Sequence, residues 1–152
     1  MNPNMHHKIR EARERLALTD GELASRVGLL ISAYDDIEQH ADELRSSVEL
    51  GTVRRICDVL ELDLFELVGL PTDVPPTASE TRARNELIRS RMRDLKISTK
   101  QLAWQLGFDE VAITEMLEDS DFLETWPLEL IASLATHLDI PLHALLMRGN
   151  TT

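Results

Sequence analysis

Cysteine occurs once in the chain, at Cys57, so no internal disulfide can form and nothing points to an oxidising compartment. Positive charge is scarce as well. The 16 Lys and Arg face 27 Asp and Glu, and the resulting net charge of −11 repels phosphate and anionic lipid over most of the surface. No apolar run approaches the roughly 20 residues of a membrane-spanning helix, and Met1 to Arg10 lacks the hydrophobic stretch of a secretory signal. A cytoplasmic protein that does not engage membranes is the expectation. Sustained alternation of apolar and polar residues is missing too, which removes the main signature of strands.

Chemistry-bearing constellations are equally thin. No Ser/His/Asp set, phosphate loop or paired-carboxylate site emerges, so neither catalysis nor a cofactor is expected. His6, His7, His40, His137 and His143 show no metal-ligand spacing, and His137 takes an apolar helical position where a packed ring is expected. The cluster Asp119-Ser120-Asp121-Phe122-Leu123-Glu124 is spaced faintly like a calcium loop. It lacks the turn glycine and the late bidentate glutamate, and reads as a solvated loop.

What is present is a repeat. Ile9, Leu16, Leu18, Thr19, Leu23, Ala24, Val27, Gly28 and Leu29 recur about 79 positions later as Ile88, Leu95, Ile97, Ser98, Leu102, Ala103, Leu106, Gly107 and Phe108. After one deleted residue, Leu60, Leu62, Leu64 and Leu67 recur as Leu138, Ile140, Leu142 and Leu145. The shared register implies two copies of one small fold, and apolar residues at helical spacing make it all-α. Helices are expected near 6–17, 20–27, 31–39, 49–61 and 63–69, then near 81–95, 99–106, 110–118, 127–138 and 141–148. Thr19 and Ser98 are the N-caps of the second helix in each copy, Gly28 its left-handed stop, and Gly149 closes the last helix. The three prolines of residues 71–81 favour an extended connection between domains at 1–70 and 82–152. Cys57 matches Ala135 and is expected to be buried and inert.

The run Leu18-Thr19-Asp20-Gly21-Glu22-Leu23-Ala24-Ser25-Arg26-Val27-Gly28-Leu29, followed by Tyr34, Ile37 and Glu38 and later by Ile56 to Leu64, resembles the phage-repressor-type (Xre, lambda-repressor-like) helix-turn-helix family. Ile97 to Phe108, with Ile113 and Met116 and then Leu134 to Leu142, is similar in the same way. The resemblance implies two tandem five-helix domains and a transcriptional regulator acting in tandem or as a dimer. It also implies that the third helix of each copy enters the major groove, with Ile31, Ser32, Ala33 and Asp36, and in the second copy Glu110, Val111, Ala112 and Glu115, facing DNA.

Charge opposes that implication. Base edges are read best by Arg, Lys, Gln and Asn, which those positions lack. Between Ile31 and Leu44 stand five acids, Asp35, Asp36, Glu38, Asp42 and Glu43, and from Asp109 to Glu129 there are eight, with no Lys or Arg in either stretch. Asp20 even places a carboxylate at the head of the second helix, where relatives contact phosphate. The cations gather instead on the first helix of each copy. Lys8, Arg10, Arg13 and Arg15 read as a solvated face, with a Glu11 to Arg15 ion pair. Arg82, Arg84, Arg89, Arg91, Arg93 and Lys96, together with Lys100, make the denser run, from which Arg82, Arg84, Arg89, Arg93 and Lys100 are candidate phosphate contacts. Two expectations follow: DNA binding that is weak, partner-dependent or carried by one copy, or a helix-turn-helix fold reused for protein contacts or self-association. Trp104, Asp35 and Asp36 are candidates for the protein-facing surface.

Overall fold

The structure, a computed structural model, describes residues 1–72 and 83–147. Arg82, Gly149 and the proline-rich connection beyond Thr72 lie outside the described residues. Within them every regular element is helical. The chain separates into two compact units, residues 1–73 and 74–152.

The first unit runs α1 (Met5–Arg15), α2 (Asp20–Val27), α3 (Ile31–Gln39), α4 (Glu43–Ser46), α5 (Leu50–Leu60) and α6 (Leu64–Val68). Its α2 starts where a capping box satisfies otherwise orphaned N–H groups: Thr19 Oγ1 accepts from the Glu22 amide at 3.2 Å, and the Glu22 carboxylate accepts from the Thr19 amide at 2.8 Å. It stops at Gly28, whose φ of 76° lies in the left-handed region. No atom lies within 4 Å of where a Cβ would project from Gly28, so backbone conformation rather than space demands glycine there. Buried Ala24 keeps α2 close, and α2 packs on both α3 and α5. Ile9, Leu23, Ile37, Leu44, Val53, Ile56, Leu60 and Val68 form the core. Full burial of one such side chain contributes about 1.5–3 kcal/mol.

The second unit runs α7 (Arg84–Leu95), α8 (Thr99–Leu106), α9 (Glu110–Glu118), a 3-10 helix (Phe122–Thr125), α10 (Leu128–Leu138) and α11 (Leu142–Leu146). The capping box returns with Ser98 and Gln101, and Gly107 has φ 75°. Here α8 packs on α9 and α10, and Ile88, Leu102, Ile113, Ile131, Leu134 and Leu145 are buried. Trp126 is buried as well, stacked on Phe108 at 5.1 Å between ring centres.

Helix ends depart from expectation for a definable reason. α1 stops early because Ala17 turns into the left-handed region, with φ 53°, whereas α7 ends at Leu95 as expected, closed by Lys96 at φ 56°. α5 ends one residue early before the left-handed Glu61, with φ 55°, and α10 ends at Leu138 as expected, before Asp139 at φ 51°. The single-turn α4 and the 3-10 helix were not anticipated, since four residues carry too little periodicity to register. His137 is a correction: it is exposed, with Nδ1 2.8 Å from the Ser133 carbonyl, because Leu134, Ala135 and Leu138 take the inward positions of α10. No helix among the described residues is long and apolar enough to cross a membrane.

Candidate nucleic-acid interface

The sequence-derived reading positions occupy the solvent-facing start of the third helix in each unit. Ile31, Ser32 and Asp36 on α3 are exposed and Ala33 half-buried; on α9, Glu110, Val111 and Glu115 are exposed and Ala112 half-buried. What these ends present is largely apolar. Leu30 is 77% and Ile31 57% exposed in the first unit, and Trp104 is 83% and Val111 64% exposed in the second. Asp35, the remaining candidate on this surface, is half-buried.

Cations of the first unit do not form the solvated face expected of them. Glu38, on the last turn of α3, is only 7% exposed. Its carboxylate accepts from Arg13 Nε at 2.7 Å and Nη2 at 3.0 Å, from Arg10 Nε at 3.2 Å, and from the Tyr34 hydroxyl. Arg10 Nη2 also donates to the Glu38 carbonyl at 2.6 Å. Arg13 reaches on to Asp20 at 2.9 Å, which neutralises the carboxylate at the head of α2. Burial alone would lift the Glu38 pKa, but the bonds from Arg13 and Tyr34 outweigh it and hold the carboxyl below its ordinary value. Tyr34 moves the other way, raised by burial and by its bond to Glu38. Arg15 is tied down too: it donates to the Leu60 carbonyl at 3.2 Å rather than pairing with Glu11. Lys8 sits 3.6 Å from Glu66.

At the matching positions of the second unit this network is gone. Met92, Ile113 and Leu117 stand where Arg13, Tyr34 and Glu38 stand in the first, and all three are buried. Arg89 keeps the role of Arg10, donating to the Leu117 carbonyl from Nε at 3.2 Å and Nη2 at 2.8 Å. Beside it opens a cavity of about 650 Å³, floored by Met92, Ile97 and Leu117 and rimmed by Arg89, Arg93, Lys96 and Thr99. Arg93, Lys96 and Lys100 are exposed and carry no ion pair among the described residues.

Arg84 must be withdrawn as a phosphate contact. It is 2% exposed, and its guanidinium pairs with Glu124 at 2.8 Å and Asp121 at 3.3 Å. Within the acidic cluster near residue 120, Asp121 and Glu124 are therefore counter-charges to a buried cation, while Asp119 and Asp121 stay exposed as expected of a solvated loop. Met5 holds the equivalent place in the first unit, again fully buried. Arg91 donates to the Leu138 carbonyl at 3.1 Å and pairs with Asp139 at 3.0 Å.

Local charge is thus redistributed relative to the sequence reading. Glu38 faces inward, Asp121 and Glu124 face Arg84, and Asp109 caps α9 by accepting from the Ala112 amide at 2.8 Å. On the reading face proper, Asp36 remains exposed in the first unit and Glu110 and Glu115 in the second. Sequence reasoning missed Glu38 as an internal anchor, although its i, i+4 spacing from Tyr34 on the apolar face of α3 was visible. No cluster of His, Cys, Asp and Glu suited to a metal ion exists among the described residues. No protein-family profile, curated protein or solved structure matches the chain.

Proposed function

We propose that the protein is a transcriptional regulator of the phage-repressor helix-turn-helix type, built from two tandem all-helical domains, in which contact with DNA is carried by the second domain through backbone phosphates. The observation that carries this reading is the contrast between the two sets of cations. In the first unit Arg10, Arg13 and Arg15 spend their hydrogen bonds internally, whereas Arg93, Lys96 and Lys100 surround the head of α8 unpaired. The α8 N-terminus adds the partial positive charge of the helix dipole, and among the described residues no acid lines the concavity at its head. Each phosphate neutralised there releases counterions, which supports binding despite the net charge of −11. Glu110 and Glu115 at the reading end keep base-specific contact poor, so affinity is low and strongly salt-dependent.

A second reading has its own observation. The exposed Trp104 and Val111, and Leu30 and Ile31 in the first unit, suit a protein partner better than a base edge. A gel shift of the full chain on its own upstream DNA at about 50 and 200 mM salt separates the two. Binding at the lower salt that weakens with salt and is lost in Arg93→Glu/Lys100→Glu supports the regulator; no shift at either salt overturns it in favour of the protein-contact module.

A further inference from the structure

A concavity of the second unit in which cations meet an apolar floor has a counterpart in the first unit that is already full. There, Glu38 supplies a carboxylate and Tyr34 an aromatic ring, held by Arg10 and Arg13. The second unit has exchanged all of these except the Arg10 equivalent, leaving space over Met92, Ile97 and Leu117. It has also gained cations at the rim: Arg93 and Lys96 stand at the positions of Glu14 and Ala17.

We propose that this cavity is a binding site for a small organic anion, a carboxylate or sulfonate carried on a compact hydrocarbon body. Its volume of about 650 Å³ falls within the roughly 300–1,000 Å³ of small-molecule sites. The floor calls for apolar surface, since Met92 and Leu117 offer no hydrogen bond to a ligand through their side chains. The rim calls for negative charge, because among the described residues Arg93 and Lys96 have no acidic partner and no carboxylate lines the cavity. The head of α8 adds the positive end of its helix dipole beside Thr99, with the Ser98 and Gln101 amides engaged in the capping box. An inorganic anion would leave the floor unused, and a neutral hydrocarbon would leave the cations unpaired. The site stands whether or not the protein binds DNA.

Fluorescence titration of the full chain tests it, with 8-anilinonaphthalene-1-sulfonate as probe, neutral N-phenyl-1-naphthylamine as the apolar control and inorganic phosphate as the charged control. One equivalent of the sulfonate is expected to bind, with affinity reduced about tenfold or more in Arg93→Glu/Lys96→Glu, whose exposed positions leave the fold intact. Trp104→Ser, which removes the exposed indole, leaves the affinity unchanged. A second variant, Met92→Arg/Leu117→Glu, refills the cavity with the first unit's ion pair and abolishes binding while keeping the helical circular dichroism of the wild type; sulfonate binding retained in that folded variant overturns the proposal. Equal sulfonate affinity in the wild type and in Arg93→Glu/Lys96→Glu overturns the proposal. So does equal affinity for either control; phosphate as the stronger ligand would mark a bare phosphate-contact surface instead. Loss of the gel shift with sulfonate binding intact removes the regulator reading and leaves this site standing.

Discussion

Arg13 of α1 and Glu38 of α3 form a two-pronged ion pair, Nε to Oε1 at 2.7 Å and Nη2 to Oε2 at 3.0 Å, in the interior of the first unit. Each partner shields the other from an otherwise unfavourable burial. Truncating only one of them leaves an uncompensated charge: Glu38→Ala is expected to destabilise the first unit by about 3–5 kcal/mol. The second unit already contains the apolar solution, so Arg13→Met/Tyr34→Ile/Glu38→Leu together should lie within about 1 kcal/mol of the wild type, or above it. Urea unfolding of the two variants checks this, and a triple variant as unstable as the single one contradicts it.

Acid should act on the same group. The folded-state pKa of Glu38 lies below the unfolded value, so its contribution to stability is present above about 4.5 and is lost as the pH falls from there through the folded value. Melting temperatures from pH 7 to 3 should therefore drop more steeply for the wild type than for the triple variant. Parallel curves would show that Glu38 does not govern the acid limb.

On the second unit, removing the exposed carboxylates should help DNA. Glu110→Gln/Glu115→Gln is expected to tighten binding roughly three- to tenfold at low salt, with the gain fading as salt rises. Lys100→Glu should weaken it and lower the slope of log affinity against log salt by at least about one. Gel shifts across a salt series read both, and an unchanged slope for Lys100→Glu would place the duplex elsewhere.

Ala17 holds a conformation that favours glycine. Ala17→Gly relieves a left-handed backbone strain of about 1–2 kcal/mol, partly offset by the greater freedom of glycine in the unfolded chain. The first unit should gain about 0.5–1 kcal/mol in urea unfolding. A loss of stability there would contradict the strain.

Much of this architecture could be read from the residues alone. Thr19, Gly28, Ser98 and the apolar stripes bracket α2, α3, α8 and α9 at their observed bounds, because caps and periodicity act locally. The destination of long charged side chains was harder. Arg10 and Arg84 look alike in a sequence, yet one bridges α1 to α3 and the other is sealed against Asp121 and Glu124, because tertiary geometry decides whether a carboxylate lies within reach. One trace of it did exist: Arg13, Tyr34 and Glu38 change together to Met92, Ile113 and Leu117 between the repeats, as residues that share a contact must.

Both tryptophans, Trp104 and Trp126, belong to the second unit, while Cys57, buried in α5 with its thiol pushed up to about 12 chiefly by desolvation, belongs to the first. Intrinsic fluorescence and thiol trapping therefore act as separate reporters in one unlabelled sample: emission follows the opening of the C-terminal half, and alkylation that of the N-terminal half. Whether the halves melt as one cooperative block or independently becomes a matter of overlaying two curves.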